Sequence, residues 1–146
     1  MLRELSDRPD IERLERFLPR VLDERREELE FVVLFGSMAR GNWSRGSDYD
    51  VLIGLREDDG KRFIDRIGEF EALADGNIDV LPYSRSEWER MAESRALILL
   101  EALEHGITLW DRGGFARLKQ RFREWHAAGL VTPSGNGWRI TPIPGH

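Results

Sequence analysis

The stretch Phe31-Val32-Val33-Leu34-Phe35-Gly36-Ser37-Met38-Ala39-Arg40-Gly41, continuing through Asp48 to Leu55, decides how the rest of the chain is read. Branched and aromatic residues from Phe31 to Phe35 have the length and composition of a buried strand. The run stops at Gly36-Ser37, where the backbone can turn tightly and start a short helix. The first amides of a helix have no partner in the helix and carry partial positive charge, so a phosphate is favoured there. Gly36 lets a ligand approach the backbone, and Ser37 adds a hydroxyl donor. Arg40, one turn on, is placed to meet phosphate oxygens or to form a surface salt bridge. Arg45 and Ser47 are secondary candidates in the following loop.

Ten residues separate Ser37 from Asp48, where Asp48-Tyr49-Asp50-Val51-Leu52-Ile53 predicts a second strand. Side chains alternate along a strand, so Asp48 and Asp50 share one face while Tyr49, Val51 and Ile53 point into core. A third acid lies in Asn77-Ile78-Asp79-Val80-Leu81, another apolar strand. The helical spacing of Phe63, Ile64, Ile67, Phe70 and Leu73 between these strands makes a strand-helix-strand unit. Its crossover would set the second and third strands parallel and bring Asp79 beside the other two acids.

Three carboxylates on adjacent strands make poor architecture, because like charges about 4 Å apart repel by about 4 kcal/mol at an effective dielectric of 20. A divalent cation removes that repulsion. All-carboxylate ligation suits magnesium or manganese, which keep several waters and take further oxygens from substrate phosphates.

The wording Gly36-Ser37-Met38-Ala39-Arg40-Gly41, then Ser47-Asp48-Tyr49-Asp50-Val51-Leu52-Ile53, then Asp79 resembles the nucleotidyltransferase domain of the DNA polymerase beta superfamily. The wording is similar to that of the minimal nucleotidyltransferases, many of them antitoxins encoded beside HEPN-domain ribonuclease toxins. The likeness covers about Leu29 to Trp110. It implies a polymerase-beta-like α/β (α+β) fold, a small mixed sheet with helices packed mainly on one face. It further implies two Mg2+ ions held by Asp48, Asp50 and Asp79, ATP with its triphosphate over Gly36-Ser37 and near Arg40, and Asp79 accepting the nucleophile's proton. The implied reaction is transfer of AMP to a hydroxyl, expected on a tyrosine of a partner HEPN toxin. Transfer to a small molecule such as an antibiotic, and a non-catalytic antitoxin that acts by contact, are the alternatives.

At 146 residues, with 40% hydrophobic and 34% charged, the chain has the size of one domain with its own core. A net charge of -5 with interleaved acids and bases argues against a general polyanion binder, so direct nucleic-acid binding is not expected. Without cysteine there is no disulfide framework and no thiolate metal site. The charged start MLRELSDRPD and the lack of a long apolar run predict a soluble, cytoplasmic protein with no membrane partner. Homo-oligomerisation stays open.

Upstream, Ile11, Leu14, Leu18, Val21 and Leu22 predict amphipathic helix over residues 10–28, with Glu12 and Arg16 spaced as an ion pair. Pro19 predicts that this is two helices or one kinked helix. Beyond Tyr83, Ser86 is a candidate cap for one helix. Residues 96–104 predict another, ended at His105-Gly106, and Ile107 to Trp110 a last short strand. Gly113-Gly114 divides residues 1–112, the nucleotidyltransferase domain with its N-terminal helical segment, from residues 113–146, a C-terminal helix and tail. The stripe Phe115, Leu118, Phe122 and Trp125 either packs on the domain or docks a partner. Val131 and Trp138 to Ile140 predict the arms of a hairpin.

Overall fold

The computed structural model describes residues 3–143 except 45 and 136. After a short 3-10 turn come α1 (Ile11–Arg25), β1 (Leu29–Phe35), α2 (Gly36–Arg40), β2 (Tyr49–Leu55), α3 (Phe63–Glu71) and β3 (Ile78–Tyr83). The chain continues with α4 (Arg85–Ser94), α5 (Leu97–His105), β4 (Ile107–Asp111), α6 (Gly114–Ala127), β5 (Val131–Ser134) and β6 (Gly137–Ile140).

Four strands form one mixed sheet in the order β3-β2-β1-β4, and β5 and β6 form a separate antiparallel hairpin. β1 runs antiparallel to β2 and β4, whereas β2 and β3 are parallel, as the α3 crossover requires. The predicted mixed sheet and tail hairpin are therefore both present.

Helices cover both faces, which corrects the expectation that they lie mainly on one. One face buries Val32, Leu34, Tyr49, Val51, Ile53 and Val80 against Leu14, Phe17, Val21 of α1 and Phe70 of α3. The other buries Phe31, Val33 and Leu52 against Trp88 of α4, Leu99 and Leu100 of α5, and Phe115 and Leu118 of α6. β1 is buried along its whole length. That double burial is why Phe31 to Phe35 is a continuous apolar run rather than an alternation.

Pro19 neither splits nor ends the first helix, which runs from Ile11 to Arg25 with the proline inside it. Pro19 lies on the exposed face, beside Leu14, Phe17 and Leu18 of the buried stripe, so the carbonyl freed at Glu15 can turn to water. The expected Glu12–Arg16 pair is replaced by a tertiary one: the Arg16 Nε is 2.9 Å from the Asp75 carboxylate. The cap of α4 is Ser84 rather than Ser86, closed by Glu87 in a reciprocal capping box. The stripe on α6 is buried on the sheet, with Phe115 and Phe31 rings 5.3 Å apart.

Candidate functional site

Strand register assembles the site. Phe35 pairs with Asp50 across β1 and β2, and Asp50 pairs with Asp79 across β2 and β3. Side-chain alternation puts Asp50 on the face of Leu52, and Asp79 on the face of Leu81, toward α4, α5 and α6. Asp48 stands just before β2. Asp50 is half-buried, whereas Asp48 and Asp79 are exposed.

The chain turns immediately after Phe35 into the short α2. Gly36 has φ 72°, in the left-handed region, and a side chain there would be driven into the Asp50 carboxylate. The glycine is thus required by both conformation and space, and it brings the backbone of α2 onto the carboxylate. No side chain caps the start of this helix. Ser37 follows in its first turn, and Gly41 closes the other end by donating its amide to the Ser37 carbonyl at 2.9 Å.

The electrostatics follow from that proximity. Burial, then the charges of Asp79 and Asp48, push the Asp50 carboxyl up to about 6, against a smaller opposing pull from Arg40. Burial and the adjacent Asp48 also raise Asp79. Hard oxygen donors that destabilise one another's ionised form have the chemistry a divalent cation neutralises. Among the described residues, however, no three acidic or histidine side chains already converge as a formed metal site. The carboxylates fit such an ion by donor type and placement, and their side chains would have to close on it.

Arg40 points its guanidinium to Glu101 of α5 at 2.9 Å, the salt bridge that was one of the two environments expected for it, and its charge also reaches Asp50. Ser47 accepts the Ser44 amide at 3.0 Å within its own loop, and Arg45 lies outside the described residues.

Three supports escaped the sequence. The Tyr49 hydroxyl donates to the Pro9 carbonyl at 2.7 Å, and Arg8 Nε donates to the Met38 carbonyl at 3.0 Å. The segment before α1 thereby ties down both the entry to β2 and the short α2. Glu101, the third, sits in an ordinary helical pattern that gives no hint of Arg40 as its partner.

Two clefts frame this end of the molecule and its opposite. One of about 600 Å³ is lined by Arg40, Asn42, Glu101, Glu104, His105 and the hairpin residues Pro133, Gly135, Gly137 and Trp138. Another, of about 330 Å³, opens beyond the far end of β2 among Glu27, Glu28, Arg56, Asp58 and Lys61, and holds none of the candidate residues.

The mixed sheet thus presents a Gly-Ser turn over paired aspartates. Residues 14–107 match the family described as nucleotidyltransferase domain, which is most of the chain, and the protein belongs to that family. Solved structures share its fold, three of them as follows. A protein of Sulfolobus solfataricus assigned as a nucleotidyltransferase is 24% identical, with a TM-score of 0.51 over 70% of this chain and 83% of that one. A toxin-antitoxin structure with AMP-PNP is 17% identical, with a TM-score of 0.53 over 80% and 89%. A mutant of the toxin-antitoxin pair MntA-HpeT is 13% identical, with a TM-score of 0.52 over 80% and 88%. No curated protein matches the chain. Among the described residues no helix is long and apolar enough to cross a membrane.

Proposed function

We propose that this nucleotidyltransferase moves AMP from ATP to a hydroxyl acceptor, a tyrosine of a partner HEPN-type toxin, and so acts as the antitoxin of a pair. The observation that carries the chemistry is the alignment of Phe35, Asp50 and Asp79 across three strands, with Gly36 directly over Asp50. The antitoxin role draws on the likeness in fold to toxin-antitoxin structures, one of them with AMP-PNP.

In this reading Asp48, Asp50 and Asp79 hold Mg2+, two ions as in the polymerase beta resemblance. When bound, the metal supplies positive charge at the phosphoryl oxygens and relieves the repulsion among the carboxylates. The uncapped amides of α2 and the Ser37 hydroxyl receive the triphosphate, which Gly36 admits to the backbone. Arg40 turns from Glu101 toward the phosphates. The acceptor oxygen attacks the α-phosphorus, the bond to pyrophosphate breaks opposite it, and Asp79 takes the hydroxyl proton. Its raised proton affinity and its exposure to solvent suit that task.

The test uses ATP labelled at the α-phosphate and, separately, at the γ-phosphate, with magnesium and an extract of the source cells. Label arriving on one protein band from the α position only, and lost with Asp50→Asn, is the expected result. Label on a small molecule would replace the protein acceptor with an antibiotic-like one. Capture of a partner without any label transfer would make the chain an antitoxin that acts by contact.

A further inference from the structure

The cleft of about 600 Å³ between α5 and the tail hairpin lies outside the phosphate-binding turn but touches it through Arg40. Its position follows from the topology. α5 ends at His105, and Gly106 leads directly into β4, whose Ile107 pairs with Leu34, one residue before Phe35. Phe35 in turn pairs with Asp50. α5 also belongs to the layer that covers the face to which Asp50 and Asp79 point. The cleft therefore flanks the carboxylates on the side away from β3.

Its chemistry is unlike that of a nucleotide pocket. Arg40 is already paired with Glu101, which leaves Glu104, beside the imidazole of His105, as the carboxylate without a guanidinium among the described lining residues. Among the described residues Glu104 has no ion-pair partner, and it is exposed. A triphosphate would be repelled by that balance, while a cationic group would be attracted. The far wall is backbone-rich. Of the described hairpin residues that line it, Gly135 and Gly137 contribute no side chains. Trp138 forms an aromatic floor there, with its ring 5.7 Å from Phe122.

We propose that this cleft is the acceptor subsite, seating a polypeptide segment that carries a basic residue next to the accepting tyrosine. Glu104 meets the cation and Trp138 packs against the aromatic or aliphatic neighbour. The inference rests on the protein-acceptor reading above. It gives the tail, residues 113–146, all of it beyond the family match that ends at residue 107, a direct part in choosing the acceptor.

The structure supplies a clean lever. A Cβ added at Gly137 would meet nothing nearer than the Ser134 carbonyl at 4.0 Å among the described residues, so Gly137→Leu should fold normally while crowding the cleft wall to which Gly137 belongs. The experiment follows the Trp138 indole resonance, assigned with Trp138→Phe, as acetyl-Arg-Arg-Tyr-Arg-Arg-amide is titrated into the full chain without nucleotide. The basic peptide should shift that resonance, and its counterpart with glutamates in place of arginines should not. Gly137→Leu and Glu104→Arg should each weaken binding about tenfold or more, the scale of one lost charged or packed contact. Mg-ATP affinity, read by calorimetry, should be unchanged in both.

Equal binding of the acidic peptide, unchanged affinity in the two variants, or no binding of the basic peptide would overturn the assignment. So would displacement of the peptide by Mg-ATP, which would give the cleft to the nucleotide, or preferential seating of an aminoglycoside over the peptide. Peptide binding in a protein that neither binds Mg-ATP nor transfers label would strike the transferase reading and leave the cleft assignment standing.

Discussion

Asp50 and Asp79 are register partners on two parallel strands, and the fold holds their carboxylates near enough for the charge of Asp79 to raise Asp50. Asp50 is shifted from 3.8 to about 6, with burial as the largest cause. The folded chain therefore binds this proton more tightly than the unfolded chain does. Its contribution favours the folded state below about pH 4 and is lost as pH rises through about 6. At neutral pH the metal-free protein carries the cost, about 1 kcal/mol after allowing for solvent screening. Asp50→Asn should abolish transfer yet raise the melting temperature of the metal-free protein at pH 7 by about 3 °C. Thermal melts at pH 4 and pH 7 check this, since the advantage of the variant should fade at the lower pH. A variant that melts lower than the parent at pH 7 would refute the account.

Gly36 is fixed twice over, by its φ of 72° and by the Asp50 carboxylate beneath it. Gly36→Ala should cost about 1–3 kcal/mol in urea denaturation and reduce transfer even where the protein remains folded. Unchanged activity would mean that the close approach of α2 to Asp50 is irrelevant to the chemistry.

The pair Arg40–Glu101 is partly exposed, so breaking it should change stability by less than about 1 kcal/mol. Its expected signature is kinetic. Arg40→Ala should raise KM for ATP, while Glu101→Ala frees Arg40 and should leave KM for ATP equal or lower. Steady-state kinetics of the two variants decide whether Arg40 reaches the phosphates; equal effects of both on KM would assign it to structure alone.

Arg66 is a structural counterpart, 4% exposed and bonded to Glu87 at 2.7 Å, Asp59 at 3.2 Å and the Pro82 and Lys61 carbonyls. Arg66→Met should cost about 3 kcal/mol because it strands these acceptors. Calorimetry on the folded variant should find Mg-ATP affinity unchanged, since Arg66 lies toward the other end of β3 from Asp79.

Much of this was legible because local and tertiary demands agree. The apolar run at Phe31, the stop at Gly36-Ser37 and the acids at 48, 50 and 79 each carry a local signal, and the crossover helix dictates that β2 and β3 are parallel. What escaped the sequence depends on partners distant in the chain. Arg16 meets Asp75 rather than Glu12, and Arg40 meets Glu101, because exposed arginines choose among acids that only folding brings near. Pro19 left two helices or one kinked helix open, and a single helix forms because the cost of the proline depends on which way the freed carbonyl faces. The second helical layer was hidden because α6 shows an apolar stripe without saying which surface it covers.

That stripe bears on how the chain comes into being. Phe31 belongs to the first strand made, yet the ring of Phe115 that completes its covering arrives only when α6 is synthesised, and α6 is then pinned back by the Gly114 amide on Glu30 at 2.8 Å. A nascent chain leaving the ribosome therefore displays part of its central strand until the tail emerges. Premature termination before Gly114 would yield a product with a sticky sheet face, a client for chaperones or proteases and not a smaller working enzyme.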